Sequence, residues 1–253
     1  MIKLSVVIIT YNEEKNISRC LDSVQSLADE IIVVDSGSSD RTKEICLSYG
    51  ANVFEHPFEG HIEQKNYAVA LASYDYVLSL DADECLSAEL RESIVFVKSY
   101  WHHEAYAFNR LTNYCGQFVY HCGWYPDTKL RLFNRRIAKW GGTNPHDKII
   151  PDAHIRVAKL KGDLLHYSFY TQEEHMKQIH KFMYIKAEGL YKKGKKSSWV
   201  KRYILPIVKF FISYCIKLGF LDGYYGFVIC RNSAYAVYLK YFLLHQMHRK
   251  ATV

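Results

Sequence analysis

The sequence predicts an α/β fold, a mostly parallel mixed sheet flanked by helices, with a helical, basic C-terminal extension. Three observations lead there. Between residue 3 and about residue 100, short β-branched runs alternate with helix-patterned stretches, as strand–helix–strand units do. Runs such as Ile31-Ile32-Val33-Val34 are apolar without alternation, a pattern that belongs to strands covered on both faces. From Thr171 onward the pattern is helical, opening on Thr171-Gln172-Glu173-Glu174, where Thr171 caps and Glu174 closes a capping box.

Taken in order, the strands run from Leu4 to Thr10, Glu30 to Asp35, Asn52 to Glu55 and Tyr76 to Leu80. Helices begin near Glu13, Asp40 and His61, and Ser87 is placed to cap another that starts Ala88-Glu89-Leu90. Residues 104–168 change character, with strand-like pieces from Ala105 to Asn109, Lys129 to Phe133 and Leu164 to Tyr167, broken by Gly, Pro and Asn. The expected organisation is one domain over 1–170, with halves 1–100 and 101–170, and a helical extension over 171–253.

At 253 residues the chain has room for one such domain with a small appendage. Its net charge of +7 is concentrated: Lys192, Lys193, Lys195, Lys196, Lys201 and Arg202 share a stretch with no acidic residue. That disfavours a chain-wide nucleic-acid surface and favours a local patch facing phosphates or an anionic membrane. The apolar stretch from Tyr203 to Phe220 contains Pro206, Lys209 and Lys217 and barely reaches the roughly 20 residues a span needs. It reads as an amphipathic helix on a membrane surface, with Trp199 at the junction. The seven cysteines form no Cys-x-x-Cys pair and suit a reducing cytoplasm. Leu4 to Thr10 lacks the length and cleavage site of a signal peptide.

Open α/β sheets bind ligands beyond the carboxyl ends of their strands. Three of those ends are rich: Thr10-Tyr11-Asn12-Glu13, Asp35-Ser36-Gly37-Ser38-Ser39-Asp40, and Asp81-Ala82-Asp83-Glu84. Small and acidic residues there suggest a nucleotide and a cation. Asp35 surfaces from a buried strand and can accept hydrogen bonds from a base or ribose, while Asp40 can cap the next helix. If the strand continues through Asp81 and Asp83, their carboxylates share a side and offer two hard oxygen ligands to Mg²⁺ or Mn²⁺. An EF-hand is excluded, since the sixth position from Asp81 is Leu86 rather than Gly. A phosphatase with a nucleophilic Asp and a general acid has the same spacing, although Cys85 stands where such enzymes commonly carry Thr or Val.

The pieces Ser5-Val6-Val7-Ile8-Ile9-Thr10-Tyr11-Asn12-Glu13-Glu14, Val34-Asp35-Ser36-Gly37-Ser38-Ser39-Asp40-Arg41-Thr42, Gln64-Lys65-Asn66 and Asp81-Ala82-Asp83 together resemble the family 2 glycosyltransferases of the nucleotide-sugar-binding GT-A fold. By that resemblance, 1–100 would be the nucleotide-sugar half and 101–170 the acceptor half. Thr10, Tyr11 and Glu13 would line the nucleotide pocket, Asp35 would read base and ribose, and Lys65 would approach the diphosphate. Asp83 would bind the metal, and Asp81 the ribose or a metal-bound water. The family's base often sits in a His-Glu pair; here the pair is His146-Asp147, one methylene shorter, so Asp147 would take the proton.

A sugar hydroxyl is a poor nucleophile, so a carboxylate must accept its proton as it attacks the anomeric carbon. The departing diphosphate gathers charge that a cation and basic side chains stabilise. Arg131, Arg135 and Arg136 are candidates to meet the diphosphate or a phosphorylated acceptor, and His166, after an apolar run, to reach the diphosphate or the metal. Asn144-Pro145-His146-Asp147-Lys148, His166-Tyr167-Ser168, the basic run and Asp222-Gly223-Tyr224-Tyr225-Gly226-Phe227 narrow the resemblance to bacterial lipopolysaccharide core β-1,4-glucosyltransferases. That implies a UDP-glucose donor, a lipid-linked core saccharide acceptor, and a peripheral place on the cytoplasmic face of the inner membrane. Transfer to another cell-surface polysaccharide, or a non-catalytic nucleotide-sugar or glycan-binding module, remain the alternatives.

Overall fold

The computed structural model describes residues 1–144 and 146–250, so Pro145 of the Asn144-to-Lys148 motif lies outside the described residues. The elements run β1 (Leu4–Thr10), α1 (Ile17–Val24), β2 (Glu30–Asp35), α2 (Thr42–Ser48), β3 (Asn52–Glu55), α3 (His61–Leu71), β4 (Tyr76–Asp81), β5 (Glu84–Leu86) and α4 (Ala88–Ser99). There follow β6 (Ala105–Tyr114), β7 (Gln117–Phe118), β8 (Asp127–Asn134), β9 (Ala138–Thr143), β10 (His146–Pro151), β11 (Val157–Phe169), α5 (Gln172–Lys192), α6 (Leu205–Phe211) and α7 (Gly223–Lys250). Two compact units result: residues Met1–Leu111 with Asp127–Tyr167, and Thr112–Pro126 with Ser168–Val253. Segment 112–126, placed by the sequence reading in the acceptor-side half, thus clusters with the C-terminal helices.

The main sheet has the order β3-β2-β1-β4-β8-β6-β11-β5, with β7 paired to β6. Its first four strands are parallel, and β8 joins antiparallel to β4. The α/β expectation of strands buried on both faces is met residue by residue. Leu4, Val6 and Ile8 of β1 pack with α1 and α4 through Ile17, Leu21, Leu90 and Ile94, while Val7 packs the other way with Ala68, Val69 and Phe133. β2 alternates likewise, Val33 to the first cluster and Ile32 and Val34 to the second. Burying each such side chain contributes about 1.5–3 kcal/mol. Register brings Thr10 beside Asp35 and Ile9 beside Asp81, so the chemically rich strand ends lie side by side.

Local deviations have visible causes. The first helix starts at Ile17 rather than near Glu13, because Asn12 takes a left-handed conformation (φ 53°) and the Glu13 carbonyl closes a turn onto the N–H groups of Asn16 and Ile17. Asp40, expected to cap, lies one residue before the N-cap Arg41, and its carboxylate accepts from the Thr42 N–H at 3.0 Å. Ser87 accepts from the Leu90 N–H, and the Thr171–Glu174 capping box is complete. The β9–β10 hairpin, absent from the sequence reading, is broken in pattern by Gly141 and Gly142.

The stretch expected to form one amphipathic helix is helical as far as Ile216, through a π-helical turn (Val200–Ile204), α6 and a second π-helical turn (Ile212–Ile216), and then breaks before a 3-10 turn (Gly219–Asp222). Pro206 has no N–H to continue the helical ladder, and the Leu205 N–H donates five residues back to Val200. Among the described residues no single helix is long and apolar enough to cross a membrane. All seven cysteines are free thiols, five of them buried.

Candidate active site

The tripeptide Gln64-Lys65-Asn66, on the first turns of α3, organises the strand ends, each side chain holding a different element. Gln64 is fully buried, donates to the Ser36 hydroxyl at 3.0 Å and meets His56 Nδ1 at 2.9 Å, which ties the turn after β2 to the helix. Asn66 clamps the backbone of Trp140 on β9, donating to its carbonyl and accepting from its N–H, both at 3.0 Å. Between them Lys65 points the other way. Its ammonium lies 2.9 Å from Asp81 Oδ1 and 2.7 Å from Asp147 Oδ2, over the Trp140 ring at 4.3 Å.

Asp81 is therefore a shared anion. Arg131, on β8, reaches it at 3.2 Å and Glu84 at 2.9 Å, and Glu84 in turn accepts from the Asp81 N–H. Burial alone would raise the Asp81 pKa, but the charges of Lys65 and Arg131 outweigh it and hold the carboxyl well below its usual range. Burial would likewise lower the Arg131 pKa, and Glu84, Asp81 and Asp147 drive it above its ordinary value instead. Asp81 and Arg131 are each held in the charged form by the other.

These residues line a cavity of about 570 Å³ with Arg110, Lys129, Trp140, Lys148 and neighbours. Its walls are rich in unsatisfied donors: Arg131 Nε and Nη1 and Trp140 Nε1 are buried without a hydrogen-bond partner. A buried N–H without an acceptor costs about 1–3 kcal/mol, so the cavity suits an oxygen-rich anion.

A second, smaller cavity of about 250 Å³ opens beyond β1 and β4, and Asp81 lines both. Thr10, Tyr11, Glu13, Ser36, Asp83 and His166 form its walls, with Phe58 and His61 meeting edge to face at 5.0 Å. Burial, with the negative charges of Asp83, Asp40 and Asp81, raises the Glu13 carboxyl to about 7 against the hydrogen bond from Asn16. Such crowding of acids is relieved by a cation.

Asp81 and Asp83 both line the smaller cavity, although the strand does not continue between them. β4 ends at Asp81, the chain turns, and Asp83 Oδ2 meets His166 Nε2 at 3.1 Å. The pairing of β11 with β5 sets His166 opposite Glu84, and the Tyr167 N–H binds the Asp83 carbonyl at 2.9 Å. One carboxylate oxygen and one imidazole nitrogen suit a divalent cation whose other positions are filled by substrate oxygens and water. No group of three or more His, Cys, Asp or Glu side chains forms a closed metal site among the described residues.

Of the residues singled out by sequence, the structure gathers Thr10, Tyr11, Glu13, Asp83 and His166 on the smaller cavity and Lys65, Arg131 and Asp147 on the larger. Asp35, expected at the base and ribose, has no exposed surface: it closes its own turn, accepting from the Gly37 and Ser38 N–H groups and the Ser38 hydroxyl. Its neighbour Ser36 lines the cavity. Arg135 binds the carbonyls of Val69 and Ala70 at the end of α3, and Arg136 pairs with Asp75, and neither is among the residues lining these two cavities. Glu84, Trp140, Arg110 and Lys148 went unselected. Glu84, directly after Asp83, is the one that the run of acids signalled.

The sequence profile described as glycosyl transferase family 2 matches residues 5–162. An uncharacterised glycosyltransferase of Rickettsia typhi is 31% identical, over 99% of this chain and 89% of its own length. The lipopolysaccharide core biosynthesis glycosyltransferase LpsC of Rhizobium meliloti is 25% identical, over 97% of this chain and 93% of its own. Among solved structures, glucosyl-3-phosphoglycerate synthase of Mycobacterium tuberculosis, with Mn²⁺, UDP-glucose and phosphoglyceric acid, is 26% identical with a TM-score of 0.38, covering 44% of each chain. TarS of S. aureus is 17% identical with a TM-score of 0.46, covering 72% of this chain and 39% of its own.

Proposed function

The chain belongs to glycosyl transferase family 2, and from that membership we propose an inverting enzyme that moves glucose from UDP-glucose to a hydroxyl of a lipopolysaccharide or lipooligosaccharide inner-core heptose. The observation that carries this reading is the pair of cavities meeting at Asp81, one holding Asp83 and His166 and the other holding Asp147 on Lys65. A leaving group and a proton acceptor have to stand on either side of the anomeric carbon, and two adjoining chambers provide for that. The full-length similarity to a lipopolysaccharide core enzyme supports the acceptor class.

In this account the uridine and ribose occupy the smaller cavity against Tyr11, Thr10 and Ser36. Mg²⁺ or Mn²⁺ on Asp83 and His166 would neutralise charge gathering on the departing diphosphate. Arg131 and Lys65 add fixed positive charge at the junction. The acceptor enters the larger cavity over Trp140, and Asp147 takes the hydroxyl proton as the new glycosidic bond forms and the bond to UDP breaks. Attack opposite the leaving group inverts the anomeric carbon. The lipid-linked acceptor places the enzyme at the cytoplasmic face of the bacterial inner membrane, beside its anionic surface.

The test is a screen of nucleotide sugars with Mn²⁺ for protection against thermal unfolding, followed by mass analysis of core saccharide from a strain lacking the protein. Protection by UDP-glucose and a core short of one hexose are expected. Protection by no nucleotide sugar would refute the proposal.

A further inference from the structure

We infer that the C-terminal unit is held on the membrane by inserting the exposed apolar side chains of residues 199–227, an apolar wedge, into the hydrocarbon, and that the lysines and arginines of that stretch and of the run before it serve the headgroup layer. This stands on the C-terminal unit alone and does not depend on the donor or acceptor assigned above. Among the described residues, fifteen of the twenty-nine large apolar side chains that are exposed fall between Trp199 and Phe227. Among them Phe211, Ile216, Leu221 and Tyr224 are more than half exposed. Side chains of this size and density on water are uncommon unless something covers them.

Three features identify the cover as lipid. The first is charge. Between Glu188 and Asp222 there are eight Lys and Arg, four before Trp199 and four within the wedge, and no acid, so this stretch complements an anionic headgroup layer. A second copy of the chain docking by the same face would set those cations against their equals.

The second is the treatment of the bounding acid. Asp222 is 5% exposed and accepts from the Tyr120 and His121 N–H groups at 3.2 and 2.8 Å and meets His121 Nδ1 at 2.9 Å. No carboxylate at this end of the wedge is left needing water.

The third is the backbone. Val200–Ile216 and Gly219–Lys250 meet at 74°, and an exposed bend would strand polar groups in lipid. Here the N–H groups of Lys217, Leu218 and Leu221 bond to Ile212, Cys215 and Leu218. The Lys217 carbonyl accepts from the Cys122 N–H at 3.1 Å. Lys217 itself lies across Gly123, where a β-carbon would come within 2.6 Å of its side chain, as a lysine does when its ammonium is drawn back from hydrocarbon. The broken helix pair is thus built to be shallowly embedded, without crossing.

Flotation of the full chain with phosphatidylcholine vesicles containing phosphatidylglycerol tests this, because salt at about 1 M screens charge to a few ångströms and leaves insertion intact. Wild type is expected to stay with the vesicles in high salt. Ile216→Glu combined with Leu221→Glu, at exposed sites, should lower partitioning at least tenfold while circular dichroism is unchanged. Brominated lipid should quench tryptophan fluorescence, and Trp199→Phe should remove most of that quenching. Release of wild type by salt, no flotation at all, or a dimer in free solution abolished by the same two substitutions would each overturn the inference.

Discussion

Lys65 Nζ lies 2.7 Å from Asp147 Oδ2 and 2.9 Å from Asp81 Oδ1, so one buried ammonium holds two carboxylates that belong to different strands. Lys65→Met would leave those carboxylates to repel each other. Breaking a buried pair of this kind costs about 3–5 kcal/mol. The expected result is a urea midpoint lowered accordingly, with turnover reduced at least tenfold; an unchanged midpoint would show that Lys65 is not the strut described.

The C-terminal unit carries its own pH dependence. Burial lowers the pKa of His175 from 6.5 to about 4, and the Asn232 amide nitrogen, which can only donate, faces Nδ1 at 3.3 Å beside the Tyr114 hydroxyl. The imidazole is held neutral while the unfolded chain takes up a proton. Its contribution is full above about pH 6.5 and falls away as pH drops toward 4, a loss of about 3 kcal/mol. Denaturant unfolding followed across that window should show the slope in wild type and a flatter profile in His175→Gln.

Close backbone approach sets a third expectation. A β-carbon on Gly226 would sit 1.9 Å from the Gly219 carbonyl oxygen, so Gly226→Ala must part the 3-10 turn from the first turn of α7. A loss of about 2 kcal/mol or more is expected in thermal unfolding. Gly194→Ala, with nothing within 4 Å but a positive φ, should cost less.

The parallel half of the fold was legible because its strands carry their burial in one dimension: Ile31 to Val34 need cover on both faces wherever they are placed. The cap at Ser87 and the box at Thr171 were legible for the same local reason. What escaped depends on pairing at long range. His166 meets Asp83 because β11 runs antiparallel beside β5, and no pattern near either residue encodes that register. Trp140 sits in a Gly-rich strand whose place is set by Asn66, 74 residues earlier. Lys65 is expected from the sequence to approach the diphosphate; its contacts with Asp81 and Asp147 are visible only once β4 and β10 are brought together. Asp35 shows the converse, a motif residue whose side chain is consumed by its own turn.

The central claim is that donor binding and proton removal are divided between Asp83 and Asp147. Calorimetric titration of UDP-glucose, with and without Mn²⁺, into wild type, Asp83→Ala and Asp147→Asn tests it most directly, with turnover measured on the same preparations. The account predicts binding that needs the cation, is lost in Asp83→Ala, and survives in Asp147→Asn while turnover there falls by about 10²–10⁴. Binding indifferent to Mn²⁺ and intact in Asp83→Ala, or full turnover by Asp147→Asn, would contradict it.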